Sequence, residues 1–479
     1  MAGKSIKKNY ILNLMYQILT ILTPIITAPY LSRVLGADGI GIVSLAENYV
    51  SYFTLFAAMG VAIYGQREVS YVQDDIKRRS IIFWNSTLMK AVFSVVCLGA
   101  YLVYAYFARN TLLALILSLN IVATLVDITW YFQGIEEFGR IVGRNTFFKV
   151  LNIIYIFVFI KDSGDILLYA AGLAGFLLLS NLSLWVMLPK FLTRVSIKEI
   201  RPFKGITVML ALFVPTIAIQ VYTALDKTMI GIITGSDYEN GYYEQAMKIS
   251  KMVLTIVTAL GTVMVPRIGH HFSNGEMDKV KELMLRSYRF VWFLGLPLTI
   301  GLFLCAPNMV PWFFGSDFIP AIPLLQILAV LVVIIGLSNV TGIQYLVPTK
   351  REKYLTISVV VGATVNLLLN IVLIIKFQAI GAAIASVIAE LAVTITQLIF
   401  VRKEISVFAI LSQGVKYFIA VVIMAVILEP MMIFLSPSVL NTMLMVLAGV
   451  FAYIGTLLIA RDKFLIDNIK IITAKVLKK

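Results

Sequence analysis

The sequence is short of the residues that build soluble catalysts. Its 479 residues include two cysteines and two histidines. Cys97 and Cys305 lie far apart within apolar runs, which argues against a disulfide framework or a paired-cysteine metal site and for small core residues. His270 and His271 adjoin each other in a basic loop with no cysteine nearby, so a solvated loop is expected there and no metal. Charge is scarce too: 14% of residues are charged against 60% hydrophobic, with a mean hydropathy of +0.93. A soluble globule of this length cannot enclose so much apolar surface, and most of the chain must face lipid. The formal charge of +15 would suit nucleic acid, but the basic residues sit in short clusters between apolar runs of about 20 residues, as topology signals do. No nucleic-acid partner is expected. Connecting loops are short, the longest roughly 20 residues, so no soluble catalytic domain fits between the apolar runs.

What is present is a series of membrane spans. Apolar runs bounded by charge, glycine or proline predict about 14 helices, starting near 10, 40, 81, 111, 146, 166, 206, 243, 288, 321, 354, 379, 415 and 440. Lys4, Lys7 and Lys8 precede a first run that contains Gln17, Thr20 and Pro24 and lacks a small-residue cleavage site. It reads as a retained first span. Placing the N-terminus in the cytoplasm puts about 31 Lys and Arg in inside segments and about four outside, namely Arg33, Arg109, Lys161 and Lys376. Both termini are therefore expected on the cytoplasmic side. The other basic residues, Lys90, Lys149, Lys227, Lys248 and Lys251, fall within spans. A charge at mid-bilayer costs about 2.5–3.5 kcal/mol on insertion scales, so each is expected to face a bundle interior, a partner or a water-filled cavity.

A repeat divides the chain. Leu35-Gly36-Ala37-Asp38, with Gly41 and Ala46, recurs as Thr234-Gly235-Ser236-Asp237, with Gly241 and Ala246. An even number of spans lies between the copies, so the halves share one orientation, as in parallel-repeat transporters. Polar residues on the matching spans recur at helical spacing. Span 1 carries Asn13, Gln17, Thr20, Pro24 and Thr27; span 7 carries Thr216, Gln220, Thr223 and Lys227. Span 2 carries Ser44, Asn48 and Ser51; span 8 carries Glu244, Lys248, Lys251, Thr255, Thr258 and Thr262. Each set falls on one face. The fold expected is all-α and polytopic: two parallel six-helix repeats, 1–205 and 206–404, form two lobes around a central hydrated cavity, followed by two C-terminal helices and a basic tail, 405–479. Interhelical hydrogen bonding is the alternative role for the Ser and Thr positions.

Several motifs resemble the Wzx-type oligosaccharide flippases of the polysaccharide transporter family, within the multidrug/oligosaccharidyl-lipid/polysaccharide superfamily. They are Pro29-Tyr30-Leu31-Ser32-Arg33-Val34-Leu35-Gly36, Tyr64-Gly65-Gln66-Arg67-Glu68, Tyr131 through Phe138, Leu225-Asp226-Lys227, Gly241 through Ala246, Val265-Pro266-Arg267, and Asn366 through Asn370 with Gly381-Ala382-Ala383. Singly each motif is weak; together they span nearly the whole chain. The resemblance implies a non-enzymatic flippase that moves a polyprenyl-pyrophosphate-linked oligosaccharide to the outer leaflet of a bacterial plasma membrane. It implies alternating access, a role in capsule or O-antigen synthesis, and a polysaccharide polymerase and other assembly proteins as partners.

The residues fit that implication. Lys90, Lys149, Lys227, Lys248 and Lys251 would counter a pyrophosphate, while Gln17, Asn48 and Gln220 would meet sugar hydroxyls. Glu47 is expected at the depth of Lys248, to pair with it or with Lys251 in one state, or else to be satisfied within its own half. Arg67 is grouped with it as a gating or coupling residue. Asp127, Asp226 and Glu390 are candidates for coupling to a proton or sodium gradient, since a carboxyl in a low-dielectric interior resists ionisation. Structural pairing, such as Asp127 with Lys149, is the alternative. No cofactor is expected. A multidrug or peptidoglycan-precursor exporter of the same superfamily is the nearest rival, although a cation exporter favours an acidic cavity. A membrane-embedded glycosyltransferase or polymerase would need acidic or histidine clusters near one membrane face.

Overall fold

The computed structural model describes residues 6–476; the side chains of 6–18, 21, 211–212, 214–216, 218–219, 221–223, 262, 469 and 471–476 fall outside the described residues. Every regular element among the described residues is helical, as a chain in hydrocarbon requires when each backbone group must be satisfied within its own segment. Among the described residues, ten helices are long and apolar enough to cross a membrane, or eleven if the bent pair Asp237–Thr258 and Val263–Ser273 counts as one span. Two of the ten, Leu22–Tyr71 and Glu352–Val401, run for 50 residues, about 75 Å at 1.5 Å per residue and more than twice a bilayer core. Each is interrupted by a non-helical residue, Gly36 and Gln378 respectively. The fold is polytopic and all-α, compatible with fourteen spans.

The chain groups into two compact units, residues 1–241 and 242–479. The first contains α1 (Ile6–Ala58), α2 (Val61–Tyr71), α3 (Ile76–Phe107), α4 (Thr111–Leu117), α5 (Leu119–Val126), α6 (Thr129–Gly134), α7 (Phe138–Phe159), α8 (Ile166–Met187) and α9 (Ile206–Thr234), and the start of α10 (Asp237–Thr258). The turn glycines that mark the repeat, Gly36 and Gly235, have φ of 69° and 64°, a region that side-chain-bearing residues avoid.

Within this unit the span formed by α4, α5 and α6 is broken. Asp127 is extended, at φ −70° and ψ 112°, which frees carbonyls in the apolar layer. Three side chains from neighbouring helices donate to them: Asn181 Nδ2 to Ala123 O at 2.9 Å, Trp185 Nε1 to Val126 O at 2.6 Å, and Lys90 Nζ to Asp127 O. Such donors are what allow a helix to be interrupted at membrane depth. Asp127 in turn caps the restart, accepting from the Thr129 N–H at 2.9 Å.

The second unit holds most of α10, then α11 (Gly261–Ser273), α12 (Met277–Phe313), α13 (Ala321–Ala329), α14 (Leu331–Asn339), α15 (Glu352–Val401), α16 (Val407–Ser412), α17 (Val415–Phe434), α18 (Val439–Ile459) and α19 (Lys463–Val476). A π-helical segment, Val340–Leu346, follows α14 and lies at the irregular position of its span much as Asp127 does in the first unit. Its Thr341 hydroxyl bonds Tyr288 at 2.7 Å. At the basic-loop end, Glu404 receives Arg351 at 2.5 Å and also the Tyr345 hydroxyl, while Lys416 reaches Asp462 at 2.8 Å. These contacts tie together the loops that carry much of the positive charge.

Candidate functional site: a polar seam and buried lysines in the first unit

Ser44, Asn48 and Tyr52 recur every four residues on the second half of α1, so they share one face. That face lies along α9. Asn48, 4% exposed, donates from Nδ2 to Ala224 O at 2.9 Å and to Thr228 Oγ1 at 2.7 Å. Tyr52 hydrogen-bonds the Thr228 hydroxyl at 2.9 Å, and Lys227 Nζ donates to Ser44 Oγ at 3.3 Å. Nearer the turns the backbones themselves meet. A Cβ on Gly41 would stand 1.7 Å from Asp237 O, and one on Gly241 would stand 2.0 Å from Ala37 O. The two contacts are nearly reciprocal across the repeat: Gly41 matches Gly241, while Asp237 matches Asp38, the neighbour of Ala37. Only hydrogen side chains permit this approach. From Ala37 to Asn48 the seam is about 16 Å long at 1.5 Å per residue. An ion pair between Arg109 and Asp237, 2.8 Å long, flanks its end.

The five lysines have different surroundings. Lys149 is half-buried on α7 and donates to Thr20 Oγ1, on the polar face of span 1, at 3.0 Å. Lys227 belongs to the seam. Lys90 is 3% exposed and its amine serves the broken span, at the carboxyl end of α5 where a cation also meets the helix dipole favourably. Lys248 is half-buried beside Glu244, one turn away on its own helix, at 3.6 Å, and Lys251 is exposed.

Of the remaining expected residues, Gln220 is exposed, Glu47 and Glu390 are half-buried, and Asp226 is 6% exposed. Arg67 pairs with its neighbour Glu68 at 2.9 Å. The side chains of Asn13, Gln17, Thr216, Thr223 and Thr262 lie outside the described residues. The structure thus joins Lys149 to the span 1 stripe and joins the span 2 stripe to the Lys227 end of span 7. Sequence reasoning missed Arg144, whose guanidinium bonds Thr129 Oγ1 at 3.2 Å and Ser180 O at 3.2 Å beside the break. It was counted only as an inside charge. The signal that could have found the break is Asp127-Ile128-Thr129, a self-capping triplet within an apolar run.

The arrangement offers ammonium groups and hydroxyls at membrane depth and a hydrogen-bonded seam free of large apolar side chains at Gly41 and Gly241. It can bind and release polar groups. The "Putative O-antigen transporter" of Escherichia coli (strain K12) is 24% identical over 413 residues, 84% of this chain and 97% of that one. Among solved structures, "Lipid II flippase MurJ, inward closed conformation" covers 95% of this chain and 99% of its own at a TM-score of 0.74 and 14% identity. An inward-facing multidrug resistance MATE family transporter of the MOP superfamily covers 82% and 95% at 0.64, also at 14% identity. These two likenesses establish the fold. The polysaccharide biosynthesis protein family matches residues 6–272, more than half of the sequence, and the chain belongs to that family.

Proposed function

We propose that the chain is a flippase for polyprenyl-pyrophosphate-linked oligosaccharide repeat units, moving them from the cytoplasmic to the outer leaflet for capsule or surface polysaccharide synthesis. The observation that carries this reading is Lys149, a half-buried lysine about 16 Å along α7 from its start, turned to the Thr20 hydroxyl. An ammonium at that depth is costly unless it serves a polar route, and a pyrophosphate is the anion that most needs such a counter-charge to leave water. Lys227, Lys248, Lys251, Gln17, Gln220 and Asn48 supply further charge and hydrogen bonds to headgroup and sugars. The prenyl chain stays in lipid throughout, and the cargo is carried without covalent chemistry.

The seam from Ala37 to Asn48 parts during the cycle and closes again. Polar contacts suit this task, because each group released on opening finds water or substrate hydroxyls in exchange, so little net energy separates the states. Asp127 and Asp226 on the first unit, and Glu390 on the second, are the candidate sites for coupling to a proton or sodium gradient; a flipping rate unchanged when the gradient is collapsed would remove that role. The excess of Lys and Arg in alternate loops supports a plasma-membrane protein with both termini in the cytoplasm. A polysaccharide polymerase and other assembly proteins act next to it. The reading is tested by leaflet-resolved labelling of the lipid-linked repeat unit in cells lacking the chain. Accumulation on the inner leaflet is expected, and an unchanged outer-leaflet pool would refute it.

A further inference from the structure

Two cavities open on the first unit at the end opposite the basic loops, on either side of Arg109. One, about 440 Å³, is lined by Tyr49, Tyr101, Tyr104, Arg109, Asn110 and Asp237 among others; the second, about 410 Å³, shares Arg109 and Asn110 with it. Each is within the range of small-molecule sites, about 300–1,000 Å³. We propose that together they form a saccharide subsite, which receives sugar rings of the repeat unit as it emerges. The proposal rests on the flippase reading for the source of the sugar, and on the cavity alone for the chemistry.

Three features select a saccharide. The tyrosines form a connected aromatic wall: the Tyr49 and Tyr104 rings are 5.6 Å apart, as are Tyr101 and Tyr104. Such rings offer apolar faces to the C–H faces of a pyranose and hydroxyls to its edge. No described residue hydrogen-bonds the hydroxyls of Tyr49, Tyr101 or Tyr104, or the side-chain amide of Asn110, although Tyr101 is only 1% exposed. These hydroxyls and the amide are therefore left to water or to a hydrogen-bonding occupant of the cavity. Finally, Arg109 is already neutralised by Asp237 at 2.8 Å. The pair offers donors and acceptors with no net charge, which matches a sugar hydroxyl, itself both donor and acceptor, and does not match a phosphate. A prenyl tail or acyl chain would find these groups unfavourable.

Asp237 also lies against Gly41 in the seam, so a sugar that draws hydrogen bonds from the Arg109–Asp237 pair acts on the seam's own end.

The experiment uses the full chain in lipid nanodiscs, with the free repeat-unit oligosaccharide released by mild acid from the producing cell's lipid-linked pool as the probe, and isothermal titration calorimetry as the readout. Saturable binding is expected, weakened at least tenfold by Tyr104→Ala and by Asn110→Ala, and weakened less by Tyr104→Phe, which keeps the ring. Asn110 lies in an exposed loop, so its variant also serves if Tyr104→Ala fails to fold. No binding to the wild type, or equal binding to wild type and Asn110→Ala, overturns the subsite. Leaflet-resolved labelling separates this failure from failure of the flippase reading. Loss of outer-leaflet repeat units in cells lacking the chain, with Asn110-independent binding, sinks only the subsite; Asn110-dependent binding without that loss sinks only the flippase.

Discussion

Gly41 and Gly241 show how much one missing methyl decides. Each faces a backbone carbonyl, Asp237 O and Ala37 O, at a distance no Cβ tolerates, and backbone carbonyls cannot rotate aside as a side chain does. Gly241→Ala therefore separates α1 from α10 at this point. The overpacking should cost about 1–3 kcal/mol, lower the Tm of the purified chain and reduce flipping at least tenfold; a variant with wild-type Tm and rate would show that the contact is slack. Lys149 makes the opposite kind of prediction. Lys149→Gln keeps a polar, hydrogen-bonding side chain near Thr20 but removes the charge, so folding and Tm should hold while transport falls tenfold or more. Lys149→Arg should retain much of it, since charge is what a pyrophosphate reads. Equal transport by the glutamine variant would assign Lys149 to helix packing.

Among the elements, the broken span α4–α6 is the most exacting. Asn181→Ala removes the donor to Ala123 O in a buried setting, and an orphaned buried carbonyl costs about 1–3 kcal/mol. Lower thermal stability without loss of transport is expected for small losses, and an unchanged melting curve would mean the break is satisfied some other way. Gln378 is a second strained point. At φ 53° and ψ −132° it sits where side-chain-bearing residues seldom go, at a cost of about 1–3 kcal/mol. Gln378→Gly relieves this and gives back about 0.5–1 kcal/mol in unfolded-chain entropy, so its Tm should rise; a fall would show that the side chain earns its place through contacts.

Outside the membrane, Glu276 at the start of α12 is held down to about 2 by hydrogen bonds from Lys279 and then His271. A carboxyl depressed in this way stabilises above its ordinary range, near 4.5, and loses that contribution only as pH falls towards 2. The protection factors of residues 270–280 against hydrogen exchange should therefore hold, as far as this carboxylate governs them, from pH 7 to 5, and be lower throughout in Glu276→Gln.

These elements also show what could be read from the sequence. Helical spacing placed Ser44 and Asn48 of span 2 on one face, because periodicity is a local property. Which faces touch was not announced: Lys149 meets Thr20 and Lys227 meets Ser44 through helices distant in sequence. The break at Asp127 was hidden for a similar reason. Its carbonyls are served by Lys90, Asn181 and Trp185 from other helices, and the run itself reads as uninterrupted. Gly41 and Gly241 were visible as a repeat, yet their contact appears only when the two turns are seen together. Arg109, counted as one of few charges outside the basic loops, turned out to hold Asp237 beside the seam.

At the scale of the whole molecule, the chain is all-helical among the described residues and groups into two compact units. On the flippase reading its polar groups at depth serve as a route, and its close glycine contacts mark the place where that route is shut. The most direct test is reconstitution of the purified chain alone in liposomes that carry the polyprenyl-pyrophosphate oligosaccharide in both leaflets, with the outer-facing sugars marked and the remainder followed over time. The account predicts that protected sugars become accessible in vesicles holding the wild type and remain protected with Lys149→Gln. Transfer no faster than in protein-free vesicles would contradict it.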